Sequence, residues 1–158
     1  AYQKYPERGQ RFTGEPAYFK HITNSAKTLM EISGTTAADY TYAVFHQPNI
    51  KFPKRIARQL GFKEEQIKPG LLSPVIGNTY AAAMLIGLTA VLDIAKPGDH
   101  ILAVSFGSGA GSDAMDIHVT GLVEERKDKA LSTAAYIARR IEIDYATYAR
   151  FRGKIVMK

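Results

Sequence analysis

The sequence has 158 residues, which is enough for one domain with a well-formed core and short for two. Its composition is typical of a globular protein, and its formal net charge of +6 suggests an anionic partner. The basic residues form no block and no aromatic-interleaved RNA motif, so nucleic acid is not an expected partner. The absence of cysteine excludes disulfides, thiolate metal sites and a cysteine nucleophile supplied by this chain.

No apolar run reaches the roughly 18 residues of a membrane span, and the first residues show no signal-peptide pattern. The expected protein is cytoplasmic and does not associate with a membrane.

The first predicted element is an amphipathic helix from Pro16 to about Ser33, ended by Gly34. His21 lies within it, and we expect this side chain at the surface or in packing. The apolar face of the helix consists of Phe19, Ile22, Ala26, Leu29 and Met30. Residues 1–16 form an irregular lead-in rich in polar residues, glycine and proline.

Residues 42–61 place a histidine between a predicted strand and a cationic helix. An apolar, β-prone run ends at His46, the chain turns at Pro48, and a short helix then runs to a C-terminal cap at Gly61. The basic face of this helix carries Lys51, Lys54, Arg55 and Arg58, and the apolar face carries Phe52, Ile56 and Leu60. This layout suits a reaction on an anionic substrate, although His46 taken alone is more often a packed core or turn histidine than a catalyst.

A second helix is predicted from Thr79 to Ala95, and it is apolar on nearly every side. Such a helix is expected to be buried, and its Ala and Gly residues allow a neighbour to approach closely. We therefore predict that it forms the spine of the fold. Asn78, directly before it, is either a helix N-cap or a site residue.

A buried strand is predicted over residues 101–106, followed by a Gly-rich loop and a half-buried strand over residues 113–123. A dinucleotide site requires a helix directly after such a loop, so a tight strand–turn–strand loop is the better interpretation. Ser108 is either a small turn residue or a polar group in a pocket. A further helix is predicted over residues 128–140.

The four histidines do not show metal-ligand spacings with acidic companions, so we predict no metal site and assign His100 and His118 structural roles. His46, Asn78 and Ser108 each follow a predicted strand or open the next element. Sites in α/β sheets are built at such positions, which favours one shared pocket.

Three motifs together resemble the C-terminal half of hydroxymethylglutaryl-CoA synthases of the archaeal type. They are Phe-His-Gln-Pro-Asn at 45–49, Gly-Asn-Thr-Tyr at 77–80 and Ser-Phe-Gly-Ser-Gly at 105–109. Residues 11–21 and 144–155 resemble the same family. The resemblance implies one thiolase-like α/β domain over residues 1–158, with a five-stranded mixed sheet between helix layers and the near-polyalanine helix at its centre.

This family of acyltransferases condenses acetyl-CoA with acetoacetyl-CoA and water to (3S)-3-hydroxy-3-methylglutaryl-CoA and CoA, in the mevalonate pathway to isoprenoids. The resemblance implies an acetylated cysteine and a glutamate base, both in the N-terminal half, and coenzyme A thioesters as substrates with no further cofactor. It implies that His46 orients acetoacetyl-CoA and protonates the new alkoxide. It assigns substrate contacts to Asn78, Ser108 and Thr13, and coenzyme A binding to Lys51, Arg55 and Arg11.

Because this chain has no cysteine, the resemblance implies a partner chain that supplies the N-terminal half, in a homodimer-like assembly of the halves. Archaeal relatives also suggest association with acetoacetyl-CoA thiolase and a zinc-bearing OB-fold protein. Two alternatives stay open: a ketoacyl synthase III-like condensing enzyme, which also pairs a His-Gln-x-Asn motif with Gly-Asn-Thr, and a non-catalytic CoA-binding or regulatory subunit.

Overall fold

The computed structural model describes residue 15, residues 17–107 and residues 111–154. Its strands are β1 (Tyr42–Phe45), β2 (His100–Val104) and β3 (Ala114–His118). Its helices are α1 (Ala17–Ser33), α2 (Lys51–Leu60), α3 (Glu64–Ile67), α4 (Ser73–Ile76), α5 (Ala82–Leu92), α6 (Leu122–Arg126), α7 (Thr133–Ala138) and α8 (Tyr145–Phe151). Short 3₁₀ turns occupy 37–39, 68–70 and 127–129.

The three strands form one mixed sheet in the order β1-β2-β3. β1 is parallel to β2, with Phe45 beside Val104. β2 is antiparallel to β3, with His100 directly opposite His118. Because β1 and β2 are parallel, the segment between them must cross over the sheet, and α5 belongs to this crossover.

Helices cover both faces of the sheet. On one face, α1 and α2 pack over Leu102, Val104 and Phe45. On the other, α5 packs its buried Met84 and Val91 against Val44, Ile101 and Ala103. Successive side chains of β2 point alternately into the two cores, which explains why its sequence is continuously apolar. The predicted α/β sheet between helix layers is confirmed.

The predicted strand number is not reproduced in the described part of the chain, where three strands are found instead of five. The half-buried strand expected over 113–123 ends at His118, and residues 122–126 form α6. The other segments of the described ranges are helical or irregular, and none pairs with the outer edge of β1 or β3.

Both helices predicted before residue 61 are confirmed. α1 buries Phe19, Ile22 and Ala26, and α2 buries Ile56. Gly61 caps α2 in the left-handed conformation, with φ +89°. Among the described residues, none of the helices combines the length and apolarity needed to cross a membrane.

The prediction that the apolar helix α5 is buried all round is wrong. Met84, Gly87 and Val91 face the sheet and are buried, whereas Leu85 is 54% exposed. The described residues cover one side of α5, and its apolar composition does not indicate what covers the other. Gly87 does permit a close approach, because a Cβ there would lie 2.8 Å from the Gly70 carbonyl oxygen.

Candidate active site

His46 directly follows β1, at the edge where the two parallel strands end. Its backbone N–H donates to the Val104 carbonyl at 2.8 Å, which continues the parallel pairing by one residue. Its own carbonyl accepts a hydrogen bond from the buried Tyr18 hydroxyl at 2.5 Å. Both backbone groups are therefore fixed, one by β2 and one by α1.

The His46 side chain lies in an aromatic environment and is only 7% exposed as a residue. Its ring centroid lies 5.9 Å from that of Phe106 and 6.2 Å from that of Tyr18. Burial lowers the pKa of His46, because desolvation penalises the imidazolium. The same effect raises the pKa of the Tyr18 hydroxyl. The imidazole is therefore neutral at pH 7 and held in place.

Gln47, which sequence reasoning did not single out, makes the most extensive side-chain bonding near His46. Its amide donates to the carbonyls of Gly70 at 2.6 Å and Ala83 at 3.3 Å. Its oxygen accepts from the backbone N–H groups of Leu72 at 2.7 Å and Ser73 at 2.8 Å. All of these partners are backbone groups distant in sequence, so the only signal available in advance was its place inside the motif.

Asn78 is exposed and lies in the loop between α4 and α5. Its side-chain oxygen accepts a hydrogen bond of 2.8 Å from the backbone N–H of Tyr80, two residues later, and this contact forms an Asx turn. Asn78 is therefore not the N-cap of α5, which begins at Ala82. Tyr80 has φ +53°, a left-handed conformation that is uncommon for a bulky residue.

Ser108, Thr13 and Arg11 lie outside the described residues. The segments that flank Ser108 are well anchored. The Gly107 N–H donates to the Gly111 carbonyl at 2.9 Å. Ser112 donates its hydroxyl hydrogen to the Ser105 carbonyl at 2.6 Å and contacts the Ser25 hydroxyl at 2.7 Å. Phe106, whose ring neighbours that of His46, directly precedes the anchored Gly107.

The two other predicted coenzyme A ligands lie on α2, as the helical spacing indicates. Lys51 is exposed in the first turn, where the Asn49 side chain accepts its backbone N–H at 2.9 Å. Arg55 lies over the Phe19 ring, 4.1 Å from its centroid, and pairs with Glu15 at 2.9 Å. Both partners of that ion pair are largely exposed, so it adds little stability.

The structure thus brings the rings of His46 and Phe106 close together, and α2, which carries Lys51 and Arg55, follows His46 in the chain. Asn78 is connected to His46 only indirectly: Gln47, next to His46, is hydrogen-bonded to the start of α4, and Asn78 lies in the loop after α4. No hydrogen bond links the side chains of His46 and Asn78 in the described ranges. The arrangement offers a neutral imidazole at the end of a strand that a positively charged helix follows in the chain.

The family model for the C-terminal part of 3-oxoacyl-[acyl-carrier-protein] synthase III matches residues 30–118, more than half of the chain. The chain belongs to this family. The matched residues of this synthase III C-terminal family contain β1, the α5 crossover and all of β2 and β3. They also contain His46, Asn78 and Ser108.

The chain is similar to the hydroxymethylglutaryl-CoA synthase of Thermococcus kodakarensis, with 59% identity over 156 residues. That alignment covers 99% of this chain and 45% of the relative, so the chain spans about half the length of the curated relatives it matches. The resemblance to the C-terminal half of archaeal synthases is confirmed.

Two solved structures share the fold of this chain. MvaS in complex with 3-hydroxy-3-methylglutaryl coenzyme A aligns with a TM-score of 0.69 at 18% identity, covering 85% of this chain and 42% of MvaS. The 3-oxoacyl-[acyl-carrier-protein] synthase III of Thermus thermophilus aligns with a TM-score of 0.60 at 26% identity, covering 66% of this chain and 32% of that one. Both indicate a thiolase-like α/β fold.

Proposed function

We propose that this chain is the C-terminal half of a hydroxymethylglutaryl-CoA synthase, one thiolase-fold domain over residues 1–158. The enzyme would condense acetyl-CoA with acetoacetyl-CoA and water. One observation carries the proposal: a buried histidine, fixed at the end of a parallel strand, in a chain that matches archaeal synthases over nearly its whole length. The product would be (3S)-3-hydroxy-3-methylglutaryl-CoA, an intermediate of the mevalonate pathway.

In this proposal His46 acts on the ketone of the acceptor substrate. The carbanion of an acetylated enzyme attacks the ketone carbon, the new carbon–carbon bond forms, and the ketone oxygen becomes an alkoxide. A neutral imidazole can donate its N–H to that oxygen as the charge develops, and so stabilise the alkoxide and deliver a proton. The lowered pKa of His46 makes the neutral form the resting state at pH 7. Water then hydrolyses the thioester to the enzyme.

The cations of α2 and the polar loop residues would hold the substrates. Lys51 and Arg55 would contact the phosphates or the amide chain of coenzyme A, with Arg11 as a further cation. The exposed position of Lys51 supports this role, because its ammonium has no carboxylate partner among the described residues. Asn78 and Ser108 would donate hydrogen bonds to substrate oxygens, and Thr13 would contact the hydroxymethylglutaryl group.

The proposal requires a second polypeptide segment, because the chain has no cysteine to carry the acyl group. An N-terminal half would supply the nucleophile and the glutamate base, and two such pairs of halves would form the homodimer-like assembly. The half-covered helix α5 supports this requirement, since Leu85 on the helix and Tyr80 just before it present exposed apolar surface. Surface of this kind is typical of an interface.

We further propose that the assembly lies in the cytoplasm and associates with acetoacetyl-CoA thiolase and a zinc-bearing OB-fold protein. Transfer of acetoacetyl-CoA from the thiolase to the synthase would benefit from such contact. Native mass spectrometry of material purified from its source tests this part. Recovery of the two synthase halves alone would contradict the wider assembly but not the condensation.

The central experiment compares His46→Ala with the unaltered protein in the assembled enzyme. Condensation should be lost, while acetylation of the partner's cysteine by labelled acetyl-CoA should continue. Gln59→Ala, an exposed substitution on α2, is the matched control and should leave both steps unchanged. Loss of acetylation together with condensation would contradict the role assigned to His46.

A second candidate function is ketoacyl synthase III-like condensation, which the matching family model specifically favours. Its acceptor would be an acyl group on an acyl carrier protein and not acetoacetyl-CoA. Turnover with a malonyl carrier protein, and none with acetoacetyl-CoA, would select it. The non-catalytic alternative would be selected by coenzyme A binding without either reaction once a cysteine-bearing half is present.

A further inference from the structure

Three side chains converge on the α1-facing side of the β2–β3 ladder, away from His46. They are His100 on β2, and Asp116 and His118 on β3. One nitrogen or oxygen from each lies within 4.8 Å of the others. His100 stands directly opposite His118 in the register, and the two rings are stacked with centroids 4.0 Å apart. The sequence spacing does not predict an acidic companion for either histidine.

The hydrogen-bonding environment of His100 places an acceptor at each ring nitrogen. Nδ1 lies 3.2 Å from the Asp39 carbonyl oxygen, which can only accept. Nε2 faces the Asp116 carboxylate, whose ionised oxygens also can only accept. A neutral imidazole carries one N–H and cannot satisfy both. If Nδ1–H donates to Asp39, the Nε2 lone pair faces a carboxylate. Either a second ring proton or a cation bound between Nε2 and the carboxylate satisfies this contact.

The second histidine faces the same oxygen. His118 Nε2 lies 3.8 Å from Asp116 Oδ1, the atom that His100 also approaches. Two imidazole nitrogens and one carboxylate oxygen therefore converge on one point. The His100 and Asp116 side chains are only 12% and 17% exposed, whereas His118 is 75% exposed. The cluster has a fixed inner part and one side open to solvent.

The outer contacts of the cluster match those of a metal centre. Metal-binding histidines usually donate their second nitrogen to a backbone carbonyl or a carboxylate, and His100 makes such a contact with Asp39. The Tyr40 hydroxyl donates to Asp116 Oδ2 at 3.4 Å and is itself within 3.0 Å of the Thr35 hydroxyl. The Tyr40 ring lies against His100, with centroids 4.2 Å apart. These contacts orient the inner two side chains.

We propose that His100, Asp116 and His118 form a binding site for a divalent transition-metal ion, with zinc the best match. Two imidazole nitrogens and one carboxylate oxygen are a ligand set that zinc prefers, and the hard ions magnesium and calcium do not. A bound ion supplies the cation that can satisfy the His100–Asp116 contact. The three ligand atoms already lie within 4.8 Å of one another, so small side-chain adjustments would bring them to the usual zinc distances of roughly 2 Å.

The site is distinct from the proposed catalytic pocket, and the proposal is independent of the condensation chemistry. Its ligands connect the two antiparallel strands, and its outer contacts reach the turn that leads into β1. A bound ion therefore fastens β2 to β3 and holds the entry to β1. Solvent can supply a fourth ligand on the open side next to His118. We assign the ion a stabilising role.

The test is a titration of the tag-free, chelator-treated chain with zinc chloride, followed by calorimetry, and with Co²⁺, followed by its visible absorption. We expect one ion per chain, a tetrahedral Co²⁺ spectrum and a higher melting temperature with zinc. His118→Ala should weaken binding at least about tenfold, because it removes one of three ligands. This side chain is exposed, so the variant should fold. Asp116→Asn should weaken binding similarly.

The matched control is Asp113→Asn, which changes an exposed carboxylate just before β3. The zinc affinity of this variant should equal that of the unaltered chain. Absence of saturable binding at millimolar zinc would overturn the proposal. The His100–Asp116 contact would then be held by a proton and not by a metal ion. Equal zinc affinity in His118→Ala and in the unaltered chain would also overturn it, because the ion would then be bound elsewhere.

Discussion

The side-chain amide of Gln47 lies 2.6 Å from the carbonyl oxygen of Gly70, a hydrogen bond that spans 23 residues of chain. The same side chain also contacts the start of α5 through Ala83 and the segment before α4 through Leu72. One buried amide therefore connects the end of β1, where His46 lies, to the crossover that leads to the Asn78 loop.

Replacing Gln47 by Leu should destabilise the chain strongly. Gln47 is only 2% exposed, and its loss leaves the backbone groups of Gly70, Leu72 and Ser73 without their partner. Each buried group without a hydrogen bond costs about 1–3 kcal/mol, so the free energy of unfolding should fall by at least ~2 kcal/mol. Urea unfolding measures this difference. Gln59→Leu, on the exposed side of α2, is the matched control and should change stability little.

Gly87→Ala should destabilise the packing of α5 against the sheet. The added Cβ would lie 2.8 Å from the Gly70 carbonyl oxygen and 2.9 Å from Val44 Cγ1. Overpacking of this kind costs about 1–3 kcal/mol, more than the ~1 kcal/mol by which alanine favours a helix. The midpoint of thermal unfolding should therefore fall. Gly121→Ala, where no atom beyond the chain neighbours lies within 4 Å of the added methyl group, should not lower it.

The sequence predicted the parts of the fold that depend on local chemistry. Helical spacing and the Gly61 cap predicted α2, and the end of an apolar run placed His46 at the end of a strand. The burial of α5 was predicted wrongly. An apolar composition indicates that a helix is stabilised by packing against another element, but it does not show that this chain supplies one on every side. The number of strands came from the family resemblance and is not found in the described ranges.

Two features of the sites required the tertiary structure. The bonds of Gln47 reach backbone carbonyls and amides, which every residue has, so no side-chain pattern marks them in advance. The cluster of His100, Asp116 and His118 depends on the antiparallel register of β2 and β3. A shift of that register by one residue would direct the side chains of one strand to the opposite face of the sheet.

Lys51→Ala should weaken the binding of a coenzyme A substrate in the assembled enzyme. A charged hydrogen bond to a phosphate or amide contributes about 1–3 kcal/mol, so KM should rise on the order of tenfold with little change in kcat. Lys54→Ala is the matched control, because the Lys54 ammonium is paired with Glu64 at 2.6 Å. Steady-state kinetics decide the matter: an unchanged KM for both coenzyme A substrates in the Lys51 variant would remove Lys51 from the site.

The buried His46 should make the chain sensitive to acid. Its pKa in the unfolded chain is the ordinary value of about 6.5, and burial lowers it in the folded state. Between these two values the unfolded chain binds a proton that the folded chain does not, so the free energy of unfolding rises with pH there. The stability due to the neutral ring is complete above the unfolded pKa and declines as the pH falls towards the folded pKa.

The measurement is urea unfolding at several values between roughly pH 7.5 and pH 5, for the unaltered chain and for His46→Gln. Glutamine does not titrate, so the variant should lose less stability on acidification than the unaltered chain. Tyr18 and Phe106, whose rings lie next to that of His46, carry no charge in this pH range. The difference between the two pH profiles is therefore due to the titration of His46. The other three histidines are present in both proteins, so their effects cancel. Parallel pH profiles would mean that the folded and unfolded states bind the His46 proton equally, and would contradict the burial of this side chain.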